Sequence, residues 1–147
     1  MAMTQDRVQE VEERDELEEL DRTSAGMESL RRASLNDWCR RLLVGWAVVI
    51  GSIVLFEPAP SDPNAAVPVW GNVLGLAFTA ALVAGLVGFS RRRPWGLRAS
   101  VVAGGLGLAI GAACVLTDHH VGFWGWYEMA AFSGLGATSW FAAKTVA

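Results

Sequence analysis

From residue 42 onward the chain alternates between long apolar runs and short polar interruptions. The runs cover residues 42–56, 69–90, 97–117 and 123–143. A helix needs about 20 apolar residues to cross a bilayer, and the last three runs meet that length. The first reaches it only by taking in residues 38–41, with Arg40 and Arg41 extending their charged heads to the lipid headgroups. A water-soluble bundle would need a charged face on each helix, and none of the four runs has one. The pattern therefore predicts an all-α integral membrane fold. Its four transmembrane helices, at about 38–56, 69–90, 97–117 and 123–143, form two tandem hairpins in a domain spanning 42–147.

The first forty residues are patterned differently. Val8, Val11, Leu17 and Leu20 fall at roughly 0°, 300°, 180° and 120° around a helix of 3.6 residues per turn, so they share no face. Like-charged neighbours such as Glu12-Glu13 and Glu18-Glu19 repel one another. Residues 1–26 are accordingly expected to form an acidic cytoplasmic tail, disordered or a frayed helix. A signal peptide is basic and short at its start, and this segment is acidic and long. Met27, Leu30, Ser34 and Trp38 then gather near one helical face beside Arg31 and Arg32. Residues 27–41 thus read as a basic juxtamembrane helix leading into the first span. Ser34, three residues before Asp37, has capping-box spacing and puts the start of the first membrane helix near Leu35.

Charge sets the orientation. The formal net charge of −3 conceals a segregation: nine of the fifteen acidic residues lie between Asp6 and Asp21. Arginine supplies eleven of the twelve basic residues, and with abundant Ala, Gly and Val this bias points to a GC-rich bacterial genome. Arg31, Arg32, Arg40 and Arg41 precede the first span; Arg91, Arg92 and Arg93 separate the second from the third; Arg98 opens the third; Lys144 follows the fourth. The other two loops carry no basic residue. Because cytoplasmic loops hold the excess of Lys and Arg, both termini are expected in the cytoplasm and the chain in a bacterial inner membrane. The eight arginines are expected among lipid headgroups, where each contributes about 1 kcal/mol near anionic lipid. Trp38, Trp95 and Trp140 then mark the inner interface and Trp70, Trp124 and Trp126 the outer one, with Trp46 alone lying deeper.

A faint internal repeat runs through the spans. Trp38 opens the first hairpin and Trp95 the second; Trp70-Gly71-Asn72 answers Trp124-Gly125-Trp126, and Phe78-Thr79 answers Phe132-Ser133 at the same offset. Parallel repeats of this kind are related by an axis along the membrane normal. Asp37-Trp38, Trp46, Phe56 and Trp70 with Asn72 and Gly75 resemble the first unit of the bacterial SPW-repeat membrane proteins. The resemblance covers roughly residues 37–89, and Ile50-Gly51-Ser52 stands where the family's Ser-Pro-Trp triplet belongs. It implies a tetraspan fold in the membrane and no defined activity.

Few residues suggest chemistry. Cys39 and Cys114 belong to opposite ends of the bundle and lack CxxC partners, so neither a disulfide nor a zinc motif is expected. Small residues at four-residue spacing, Gly71 with Gly75, the run to Gly85, Ala103 with Gly107 and Gly111, and Ala130 with Gly134, suit close helix packing. They serve either the bundle itself or a homo-oligomer. Asp118, His119, His120 and Glu128 collect at the outer end of the third and fourth spans. Imidazoles with carboxylates make a metal-ligand set or a proton-sensing pair, or they simply decorate the interface. No Ser/His/Asp set, phosphate loop or HExxH motif occurs, and nothing suggests nucleic acid or a cofactor. The mid-span polar residues identified, Thr79, Ser133 and Thr138, are too few for a transport path. The expectation is a non-catalytic accessory or scaffold subunit that meets the bilayer and a protein partner. The alternative is a small transporter, channel or pH/metal sensor using the Asp/His/Glu cluster.

Overall fold

A computed structural model describes residues 3–57, 68–117 and 123–146. Over them the chain is helical: α1 is Met3–Phe56, α2 Val69–Ser90, α3 Pro94–Leu116 and α4 Trp124–Thr145. Three stretches, Leu17–Phe56, Val69–Ser90 and Pro94–Leu116, are long and apolar enough to cross a membrane. α4 has 22 residues, but Trp124, Trp126, Tyr127 and Glu128 crowd its first turns and Ser133, Thr138, Ser139 and Lys144 follow. The chain divides into two compact units, Met1–Ser34 and Leu35–Ala147.

The first unit is helix, and α1 does not begin at the capping-box spacing near Leu35. Ser34 and Asp37 lie inside α1, and Asp37 pairs with Arg41 at 2.7 Å. The physical reason is that helical neighbours are three and four residues apart, whereas adjacent residues do not face each other. Glu18-Glu19 repulsion therefore matters less than the pairing of Glu18 with Arg22 at 3.4 Å and of Glu28 with Arg32. Each such exposed pair adds only about 0.2–0.5 kcal/mol. The hydroxyls of Thr23, Ser24 and Ser29 donate to the carbonyls of Glu19, Asp21 and Gly26. No proline interrupts Met3–Phe56. Leu17, Leu20, Met27 and Leu30 are all exposed, so among the described side chains this unit buries no apolar stripe of its own.

The second unit is built on α3. Its buried face reads Gly96, Leu97, Ser100, Ala103, Gly104, Gly107 and Gly111, and every side chain there except Leu97 is small. Small side chains let neighbouring backbones approach, which is how helices associate in lipid, where no hydrophobic force draws them together. α2 crosses α3 at a pair of glycines: a Cβ on Gly96 would stand 2.8 Å from Gly88 Cα. α4 crosses it at a second pair, where a Cβ on Gly104 would stand 2.6 Å from Gly136 Cα. Farther along, Gly107 receives the Phe132 ring, Gly111 the Met129 side chain, and Gly125 the Val115 side chain.

The last 22 residues of α1 close this unit. Gly45 faces Leu135, and Trp46, at 1 % exposure, is the largest fully buried side chain. Its ring lies 6.3 Å from Phe78 and 6.0 Å from Phe132, and those two meet edge to face at 5.4 Å. One aromatic cluster thereby joins α1, α2 and α4 at distances where offset and edge-on rings attract. Of the packing positions expected from sequence, Gly85, Ala103, Gly107 and Gly111 are buried. Gly71 is half-buried, Ala130 is exposed, and Gly75 and Gly134 have open space where a side chain would go.

Candidate functional site

Three groups of polar side chains stand out in the second unit. The most buried links three helices in a line. The Trp46 indole Nε1–H donates to Ser100 Oγ at 2.7 Å, Ser100 and Ser139 Oγ lie 2.7 Å apart, and the Ser139 hydroxyl donates to the Leu135 carbonyl at 2.7 Å. An indole nitrogen only donates and a hydroxyl carries one proton. Ser139 gives its proton to Leu135, so Ser100 donates to Ser139, and the order runs one way from α1 through α3 to α4. Ser100 and Ser139 are 1 % and 0 % exposed. Each polar hydrogen in the line is used, as a buried site requires. Sequence reasoning missed both serines and named Thr79, Ser133 and Thr138 instead. Those three are exposed, and Thr79 and Ser133 donate back to their own helix at Gly75 and Met129. The signal was spacing: Ser100 lies four residues from both Gly96 and Gly104, and Ser139 three from Gly136, on the faces that cross.

The second group is the arginine-rich end. Arg91, Arg92, Arg93 and Arg98 are exposed, as are Arg40 and Arg41 here and Arg31 and Arg32 in the first unit. Arg41 sits 5.8 Å from the centre of the Trp38 ring, and Lys144 lies 4.9 Å from that of Trp140. A cation over an indole suits an interface where one side is apolar and the other wet. The α2–α3 turn is tight: the Arg91, Arg92 and Arg93 amides donate to the carbonyls of Val87, Phe89 and Gly88. Arg92 takes φ 52°, and it is the one non-glycine residue at positive φ among the described residues. Between this turn and α1 lies a cleft lined by Asn36, Asp37, Cys39, Arg40, Leu43, Phe89 and Arg92.

The third group is the opposite end. Glu128 lies one turn into α4, is 4 % exposed, and packs its Cβ against Gly111. The neighbouring Tyr127 hydroxyl meets Ser52 Oγ at 2.5 Å and ties α4 to α1. Glu57 directly follows α1, and its amide donates to the Ile53 carbonyl at 2.9 Å. Asp118, His119 and His120, expected to complete a metal set with Glu128, lie outside the described residues. Among the described residues no three His, Cys, Asp or Glu gather as a metal site. Cys39 is buried and Cys114 half-buried, and both are free thiols.

No family model, curated protein or solved structure matches the chain.

Proposed function

We propose that this chain is a non-catalytic, four-span protein of a bacterial inner membrane, with both ends in the cytoplasm, serving as an accessory or scaffold subunit. The observation that carries the reading is the closed interior. The aromatic cluster of Trp46, Phe78 and Phe132 fills the middle, and the Trp46–Ser100–Ser139 line consumes its own polar hydrogens. A transport path needs unsatisfied or ion-exchanging polar groups along its length, and this interior offers none at the level of that cluster. The fourth crossing is supported by packing. α4 follows α3 from the Val115–Gly125 contact to the Ser100–Ser139 contact, so a bilayer deep enough for α3 encloses α4 as well.

The internal repeat has a counterpart in the packing. Phe78 and Phe132, equivalent by sequence offset, meet ring against ring, as residues close to a repeat axis do. Thr79 and Ser133, the next equivalent pair, both bond the carbonyl four residues back. Of the four residues behind the sensor or transporter reading, Glu128 is the one among the described residues, and it is buried. The scaffold reading is tested by pull-down from membranes with the full chain and with a chain lacking residues 1–25. A partner captured stoichiometrically by the full chain and lost on truncation supports it. Capture of no partner by either, together with solute flux in proteoliposomes, overturns it.

A further inference from the structure

We propose that the cleft between α1 and the α2–α3 turn is a binding site for the phosphodiester headgroup of an anionic phospholipid, with Arg40 and Arg92 as its charged ligands. The inference rests on the membrane reading above and adds a ligand to it.

The backbone is the first argument. A position at φ 52° after a helix favours glycine, because a Cβ there crowds the following carbonyl. The chain is rich in glycine, with 16, yet it places arginine at this position. A strained residue held by its surroundings is a recurrent mark of a binding site. The three turn hydrogen bonds at 2.8–3.1 Å hold the strain in place and direct residue 92 to the cleft.

Charge and shape supply the second. Arg40 and Arg92 line the cleft from opposite walls, and no ion pair engages either of them among the described residues. The one carboxylate in the lining, Asp37, is held by Arg41 at 2.7 Å. Asn36 adds a neutral donor, and Leu43 and Phe89 give the cleft an apolar floor. Two free guanidiniums, an amide and an apolar floor fit a phosphate whose other substituent is a glycerol ester and its chain. A soluble phosphate would use the charges and leave the exposed Leu43 uncovered. By contrast, Arg91 and Arg93 flank Arg92 in sequence and do not line the cleft.

The test uses the full chain in a neutral maltoside detergent, with unfolding followed by tryptophan fluorescence. Dioleoyl-phosphatidylglycerol at about a hundredfold excess over Kd should raise Tm by about 5–10 °C. Dioleoyl-phosphatidylcholine and millimolar glycerol phosphate should not. Arg92→Gly relieves the backbone strain, so it should melt no lower than wild type without lipid, yet lose the phosphatidylglycerol shift. Arg40→Gln should lose most of it, and Arg91→Gln should keep it. The proposal falls if Arg92→Gly and Arg40→Gln retain the full shift, or if phosphatidylcholine produces the same one. It falls equally if glycerol phosphate reproduces it, since the ligand would then be a soluble anion. Should Arg92→Gly not fold, Arg40→Gln on a helix surface decides alone. Failure of the membrane reading looks different: the chain would wash off membranes in alkaline carbonate, whereas a chain that stays and shows no lipid shift refutes only the site.

Discussion

Gly104 and Gly105 are adjacent on α3, and the same substitution at each should have opposite effects. A Cβ at Gly104 would meet Gly136 Cα at 2.6 Å and the Phe132 carbonyl oxygen at 2.9 Å, both backbone atoms that cannot move aside. At Gly105 nothing lies within 4 Å. Alanine gains about 0.5–1 kcal/mol over glycine inside a helix, and this gain is common to both sites. Forcing a methyl into a packed crossing costs about 1–3 kcal/mol, with a rigid backbone partner favouring the upper part of that range. Gly105→Ala should therefore stabilise slightly and Gly104→Ala destabilise, a separation of about 2–3 kcal/mol. For a chain of this size that is about 4–12 °C in Tm. Parallel melts in one detergent, read from tryptophan fluorescence, make the comparison. If both variants move in the same direction by the same amount, the α3–α4 glycine crossing is not where the bundle closes.

The hydrogen-bond line and the segment between α3 and α4 yield two more expectations. Ser100→Ala leaves the Trp46 indole N–H without its acceptor and should cost about 1–2 kcal/mol, while Ser133→Ala, which removes only an exposed bond within α4, should stay within about 0.5 kcal/mol; equal losses would show that the line carries no stability. Between the third and fourth helices, wild type and a His119→Ala/His120→Ala double variant should show the same melting response to zinc from pH 5 to 8. A zinc-dependent rise confined to wild type would move the chain to the metal-sensor class.

What was legible in the sequence follows the length scale of each interaction. The apolar runs at 69–90 and 97–117 return as α2 and α3, because a bilayer-length apolar run has few alternatives to helix. The helix continues from the basic segment at 27–41 into the acidic one, whose adjacent like charges look disruptive in one dimension while a helix brings Glu18 to Arg22 and Glu28 to Arg32. The packing faces were only half legible. Gly104 and Gly105, or Gly134 and Gly136, are equivalent as letters, and only the facing helix determines which of each pair is pressed against backbone. The serine line was hidden for the same reason: Ser100 and Ser133 differ in what they face and not in chemistry. Likewise three consecutive arginines announce a charged turn, but the left-handed backbone that singles out Arg92 exists only in three dimensions.

The central claim is four crossings with both ends inside, and cysteine accessibility in intact cells or right-side-out vesicles tests it most directly. With Cys39 and Cys114 replaced by alanine, single cysteines are placed at Asn64, Ser90 and Thr145 and exposed to a membrane-impermeant maleimide. Asn64→Cys should label from outside, while Ser90→Cys and Thr145→Cys should label only after the membrane is opened. External labelling of Thr145→Cys would mean that α4 does not cross, and external labelling of Ser90→Cys with a protected Asn64→Cys would invert the molecule and contradict the account.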